Sequence, residues 1–264
     1  MTACTIAELT CVAASHQIVD GETVFVGVGK PVIAAFLAKL THAPNITILF
    51  ETGIVRTRAC ELPMLLDTLA TQADADKLDN AAYVTSLAAR GLVHLGLVGA
   101  GQVDRRGNIN SVAAGDYRAP VVRWPGGGGA NDIVSLCGRT VVLLDQKRER
   151  LPERVDFVTA PGYLEGGNRA AGLPSGGASA VITDLAVFAF AHGEAVLDSR
   201  HPGVAAGRVA AATGWDVGDA SQLPETAAPT AEEVQLLREI IDPHFRVLPN
   251  PESVPSIPSQ GTRQ

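Results

Sequence analysis

Aromatic residues are scarce in this 264-residue sequence, at 5%, and there are four cysteines and two methionines. The core must therefore be filled by Val, Ile, Leu and Ala, which suits a sheet covered by helices better than a β-sandwich. The cysteines (Cys4, Cys11, Cys60, Cys137) are scattered, with no C-x-x-C spacing. This argues against a thiolate zinc site or a disulfide scaffold, and reads as reduced, mostly buried thiols in a reducing compartment. Positive charge is also in deficit: 21 Lys and Arg stand against 28 Asp and Glu, for a net charge of -7. The densest basic run is Lys147-Arg148-Glu149-Arg150. Nucleic acid binding needs a concentrated basic face to displace counterions, and none is visible. No apolar run reaches the length of about 18 residues that a membrane-spanning helix needs. Met1 to Ala13 lacks the basic and then apolar order of a signal peptide. A soluble, cytoplasmic protein is expected.

What is present is an ordinary globular composition, 46% hydrophobic and 19% charged, in a chain long enough for a sizeable core. Ile6 to Val19 has apolar residues near helical spacing, and Asp20-Gly21 then turns the chain. Thr23 to Val28 and Ile46 to Phe50 read as buried strands, with a helix over Pro31 to Leu40 between them; Pro31 suits a first turn. Leu92 to Val98, Thr140 to Leu144 and Ala180 to Thr183 are further short apolar runs. Such runs, interleaved with helices, predict an α/β fold with a parallel sheet buried on both faces. Thr230 with Glu233 predicts a capping box at the start of a helix over Glu232 to Ile241. No internal repeat or interior linker appears, so residues 1–248 read as one domain. Residues 249–264, rich in Pro and Ser, read as a disordered tail.

In open α/β sheets ligands bind beyond the carboxyl ends of strands, and three segments place unusual residues there. Val26-Gly27-Val28-Gly29-Lys30-Pro31 runs from a strand into a helix through glycines, which lets a ligand approach the backbone. A tight turn needing small residues explains it equally. Glu51-Thr52-Gly53 follows a buried strand directly. A carboxylate there is partly stripped of water, which makes it a better nucleophile or base; a solvated Glu, or an ion-pair partner of Arg56 or Arg58, is the plain alternative. Gly126-Gly127-Gly128-Gly129-Ala130-Asn131-Asp132 is a flexible loop opening into an element. Its amides could hold an oxyanion or phosphate, or the loop could be only a loop. The stretch Gly99 to Asn108 reads as a strand end whose polar groups fix the loop. His94 and His201 have no partner at a catalytic or metal-ligand spacing and read as structural or exposed. No zinc motif is present, so no metal is expected, and no G-x-S-x-G elbow supports a serine nucleophile.

Taken in order, these segments resemble the β subunit of class I CoA transferases, most closely the glutaconate CoA-transferase type. The resemblance spans roughly residues 6 to 248. It rests on Gly27-Val28-Gly29-Lys30-Pro31, Ile48-Leu49-Phe50-Glu51-Thr52-Gly53, and the run from Gly101-Gln102-Val103-Asp104 through Gly107-Asn108-Ile109-Asn110-Ser111. It continues through Gly115-Asp116-Tyr117, Gly127-Gly128-Gly129-Ala130-Asn131, Asp156-Phe157-Val158-Thr159-Ala160-Pro161-Gly162-Tyr163, His201-Pro202-Gly203-Val204 and Ile241-Asp242-Pro243. The resemblance implies a three-layer fold around a mostly parallel sheet. It also implies a homologous α subunit as partner, in an α2β2 or larger hetero-oligomer.

By the same resemblance, Glu51 is the glutamate that attacks an acyl-CoA, passing through a mixed anhydride to a glutamyl-CoA thioester that a carboxylate acceptor resolves. Amides of Gly128 and Gly129 would hold the oxyanion. Gly27, Gly29, Thr52, Gly53, Gly127, Ala130 and Asn131 would line the substrate site. Coenzyme A would enter as substrate, with no tightly bound cofactor. Thr52 departs from the Ser or Asn more usual after the glutamate. Arg56 and Arg58 add cations that could bind a substrate carboxylate. An acyl-CoA or ring-opening carbon–carbon hydrolase on the same fold, and a non-catalytic regulatory or structural subunit, are the alternative readings. Retention of Glu51 and of the glycine loop favours transfer over both.

Overall fold

The computed structural model describes residues 3–164, 167–169, 172–173 and 176–257. Its centre is a nine-stranded sheet. In chain order the strands are β1 (Thr23–Val26), β2 (Thr47–Phe50), β3 (Ile54–Arg56), β4 (Lys77–Leu78) and β5 (Leu95–Gly99). They continue as β6 (Arg139–Leu143), β7 (Ala178–Ile182), β8 (Ala186–Ala191) and β9 (Glu194–Arg200). In space the order is β9-β8-β7-β6-β5-β1-β2-β3-β4. The five central strands, β7 to β2, pair in parallel, and each flank is antiparallel. The sheet is thus mixed, with the parallel part in the middle. The central strands are the apolar runs that sequence patterning picks out. The flanking hairpins are shorter or alternate in burial and leave a weaker signal.

Alternation along the central strands divides the core into two layers. Val24, Val26, Ile48, Phe50, Leu95 and Leu97 face one side and pack with α1 (Ile6–Ser15) and α2 (Lys30–Leu40). Phe25, Leu49, Val142 and Val181 face the other, against α3 (Ala81–Ala89) and α4 (Ala130–Leu136). Helices cover both faces, which is the three-layer arrangement. Cys11 and Cys137 lie in these layers, and burial pushes each thiol up to about 12, so both stay protonated and inert. Among the described residues no helix is long and apolar enough to cross a membrane.

Two capping boxes close the termini onto the core. Thr5 and Glu8 cap α1, and Arg238 Nε meets the buried Glu8 carboxylate at 2.6 Å. Thr230 and Glu233 cap α5 (Ala231–Leu236), which continues as a π-helical turn through Ile241. Part of the Pro- and Ser-rich stretch is ordered: Ser256–Ile257 pairs with Cys4–Thr5, and Ile257 is buried beside Leu9 and Val234. An apolar side chain with a strand partner gives that segment an anchor that composition does not reveal. Residues 258–264 lie outside the described residues.

Glu233 also accepts from His16 at 2.6 Å and from the Thr230 amide and hydroxyl at 2.7 and 2.9 Å. Burial pushes its carboxyl up, but His16 and Thr230 outweigh this and hold it at about 2. Because the folded value lies below the ordinary 4.5, the stabilisation is complete above the ordinary value. It is lost as pH falls toward the folded one. Urea unfolding at about pH 5 and about pH 3 should show a smaller acid loss for Glu233→Gln than for the wild type. Equal losses would remove Glu233 from the account.

Candidate active site

The carboxyl ends of β1, β2 and β5 open onto a cleft of about 500 Å³. Its lining includes Gly27 and Val28 after β1, Glu51 after β2, and Val98 to Gly101 at the end of β5. The opposite side is the loop Trp124 to Gly128 with Ala130, and Ser111, Ile133 and Arg150 complete it. Parallel strands put their carboxyl ends on one side of the sheet, so residues far apart in the chain converge there.

Glu51 is the half-buried residue where β2 ends. Gly53 N–H donates to Phe50 O at 3.0 Å and closes a turn that ejects the glutamate from the sheet. Gly53 has φ of 101°, and a Cβ there would stand 2.4 Å from Asp79 O, so only glycine fits. The carboxylate crosses to the glycine loop, where Gly129 N–H donates to Glu51 Oε2 at 2.8 Å. A Cβ on Gly129 would lie 2.5 Å from that same oxygen, and one on Gly128 would lie 3.5 Å from both carboxylate oxygens. The absence of a side chain at Gly129 is what lets the carboxylate rest on the backbone, and Gly128 keeps the approach open beside it.

The loop itself is anchored. Gly126 N–H donates to Ser111 O at 3.1 Å and Ala130 N–H to Gly127 O at 2.8 Å, while a Cβ on Gly127 would meet Thr159 Cγ2 at 2.5 Å. The expectation of a flexible loop gives way to a pinned one, because the amides of Gly126, Gly129 and Ala130 are spent on defined partners.

Gly27, Glu51, Gly127, Gly128 and Ala130 therefore line one cleft, and Gly129 holds the carboxylate from behind. The other sequence candidates lie elsewhere. Gly29 caps α2 with φ of 81°. Thr52 Oγ donates to Leu66 O at 3.0 Å, so its hydroxyl ties down the excursion after β3. Gly53 makes the turn, and Asn131 Nδ2 donates to Thr159 O at 2.8 Å, securing the start of α4. Arg56 is neither a partner of Glu51 nor open to a substrate. It is 3% exposed, and its guanidinium donates to the carbonyls of Arg58, Thr71 and Ala73. Arg58 Nη2 reaches Asp74 O at 3.4 Å. Both arginines brace the 58–74 excursion, whose carbonyls lack strand partners.

His94 Nδ1 accepts from Thr23 N–H at 3.0 Å, just before β5. His201 is fully buried between Thr226 Oγ1 and Thr183 O, and burial holds its imidazole below the ordinary range. The turn after β5 is built on Asp104, which takes the amides of Arg106 and Asn108 at 3.0 Å; burial pushes its carboxyl up. These groups serve the scaffold, as their spacing suggests.

Sequence reasoning missed Trp124, Ser111 and Arg150 as cleft residues. Trp124 abuts the glycine run and Ser111 ends a polar turn, so neighbouring motifs were the only signal. Arg150 shows in sequence merely as one member of a basic cluster. In space its Nη2 donates to Ala100 O at 2.9 Å and its Nε to Gly101 O at 3.1 Å, while Nη1 pairs with Asp145 at 3.1 Å. Asp145 also meets Lys30 at 3.3 Å. Burial pushes the Asp145 carboxyl up, but the two cations outweigh it and hold it below the usual carboxylate range.

A carboxylate presented to a cleft, with a backbone donor on one of its oxygens, is equipped for nucleophilic attack and for stabilising charge on its own carbon. The model of the coenzyme A transferase family matches residues 8–212. The B-type chain of the 3-oxoadipate CoA-transferase of Pseudomonas knackmussii is 36% identical over 245 residues, covering 91% of this chain and 94% of that protein. The B-type chain of the glutaconate CoA-transferase of Acidaminococcus fermentans is 31% identical over 246 residues, covering 89% and 92%. The crystal structure of the glutaconate enzyme from that organism superposes with a TM-score of 0.86 at 30% identity, covering 94% of this chain and 98% of the other. Fold, cleft and sequence agree: this chain belongs to the coenzyme A transferase family.

Proposed function

We propose that this chain is the nucleophile-bearing subunit of a cytoplasmic heteromeric CoA transferase, with Glu51 forming the covalent intermediate. The observation that carries the proposal is the Glu51 carboxylate in the cleft with Gly129 N–H on Oε2 at 2.8 Å. The other oxygen, Oε1, attacks the thioester carbonyl carbon, the carbon–sulfur bond breaks, and CoA leaves as thiolate. The thiolate then attacks Cδ of Glu51, and the first acid departs as its carboxylate. An acceptor carboxylate attacks the resulting glutamyl-CoA thioester and reverses the sequence, giving ping-pong kinetics. When the thiolate adds to Cδ, negative charge grows on an oxygen of Glu51 itself. The Gly129 donor is then already in place and needs no reorganisation.

The partner is a homologous α subunit, since each of these relatives is named as one of the lettered subunits of its transferase. Their names refer to 3-oxoadipate and glutaconate, both small dicarboxylic acids, and that is the acyl class proposed here. Hydrolysis, in which water replaces the acceptor, is disfavoured because the covalent route requires the carboxylate that this chain retains.

The test is a trapping experiment on the chain co-expressed with its partner subunit. The complex is incubated with small dicarboxylyl-CoAs, reduced with borohydride, and mapped by peptide mass spectrometry. Reduction at Glu51 is the expected result. Release of free CoA from an unmodified Glu51 would favour direct hydrolysis instead.

A further inference from the structure

Beside the reaction cleft lies a second cleft of about 630 Å³, and the two share Trp124 and Arg150 in their lining. Val121, Val122 and Pro152 give the second cleft apolar walls, with Lys147 and Asp156 at its polar edge. The indole between them is firmly seated. A Cβ on Gly101 would stand 2.7 to 2.8 Å from three atoms of the Trp124 ring system, so the ring lies face-on against that glycine. Trp124 N–H donates to Val112 O at 3.0 Å, which fixes the backbone end. The segment that carries Gly101 is held in turn, since Arg150 clamps the Ala100 and Gly101 carbonyls and Asp145 holds Arg150. Three of the five guanidinium N–H groups are committed to the Ala100 and Gly101 carbonyls and to Asp145, which makes Arg150 a brace for the segment that carries Gly101.

We propose that Trp124 is the specificity-determining wall of the reaction cleft, closing it off from the second cleft and so limiting the acyl group to small acids. Arg150, held by Asp145, is the positioning residue that keeps the wall upright. The inference rests on the acyl-CoA reading above. An acyl group attached at Glu51 extends into a space bounded by the indole. Truncating the indole joins the two clefts and gives a longer or cyclic acyl group somewhere to go, and pocket size is a direct determinant of such discrimination.

The experiment uses the full heteromeric complex and compares kcat/KM for a four- to six-carbon dicarboxylyl-CoA with that for dodecanoyl-CoA. In Trp124→Ala the long-to-short ratio should rise at least about tenfold over wild type, chiefly through KM for the long substrate. Trp124→Phe, which keeps a ring on Gly101, should hold the long-to-short ratio within about twofold of wild type. Arg150→Ala should shift the ratio the same way by less. Arg150→Lys should restore part of it, because an ammonium keeps the Asp145 pair but cannot clamp two carbonyls as a fork does. A ratio within about twofold of wild type in Trp124→Ala, with Glu51 still labelled, overturns the wall. Should Trp124→Ala fail to assemble, the Arg150 pair decides: an unchanged ratio in Arg150→Ala overturns the inference. A wild-type complex in which no acyl-CoA labels Glu51 overturns the acyl-CoA reading, and the wall with it.

Discussion

Glu51→Gln is expected to reduce CoA transfer by at least about 10⁴-fold, since removal of a covalent nucleophile elsewhere costs that much or more. The amide keeps the size of the carboxylate and can still accept from Gly129 N–H, so the fold and the glycine loop should survive. Circular dichroism and thermal unfolding would show this. What is lost is the anionic oxygen that bonds to the acyl carbon. Glu51→Asp separates chemistry from placement. It keeps the charge but withdraws it by about 1.5 Å, one carbon–carbon bond, and away from a donor now at 2.8 Å. Misplacement on that scale costs about 10²-fold. The ordering wild type, then Asp, then Gln is the expected result of a steady-state assay. Equal turnover in wild type and Gln would end the nucleophile assignment.

Gly129→Ala should be the second most damaging single change, with a fall in kcat of about 10²–10³-fold, the usual effect of losing one oxyanion donor. The geometry makes the reason specific. The new methyl would lie 2.5 Å from Glu51 Oε2, so either the carboxylate swings off the amide or the loop backs away. Gly128→Ala is the control. Its methyl would meet the same carboxylate at 3.5 Å, an ordinary contact, and the change would strain the backbone at φ of 49°. It should therefore cost less kcat than Gly129→Ala. Measuring both variants with Glu51 labelling as a second readout checks the order. A reversed order would mean that the loop acts through its shape and not through the Gly129 donor.

Much of this architecture was legible in the residues themselves. Thr23–Val26, Thr47–Phe50 and Arg139–Leu143 were readable because a strand buried on both faces must be apolar along its length. Thr230 and Glu233 announced their helix because a capping box is local chemistry three residues long. The antiparallel flank Ile54–Arg56 with Lys77–Leu78 was not readable, since its strands are three and two residues long and the second is exposed. Arg56 illustrates the same limit among the charges. Sequence placed it five positions from Glu51, yet it is buried and its guanidinium is turned to the carbonyls of residues 58, 71 and 73. A charge near a nucleophile in the chain says nothing about which way its side chain turns.

By itself, the sequence determined the strand centres, the capping box at Thr230 and Glu233, and the position of a glutamate where a buried strand ends, all of which follow from patterns a few residues long. The tertiary structure decided that Gly129, 78 residues away, meets that glutamate. It also decided that the Thr52 hydroxyl and the Asn131 amide bond to the carbonyls of Leu66 and Thr159, and that Trp124 and Arg150 stand at the cleft. Close approach between distant backbone segments depends on how layers pack, and packing leaves no periodic trace in the chain. The glycines are the exception only in part: they show that something comes near, but the fold alone shows what.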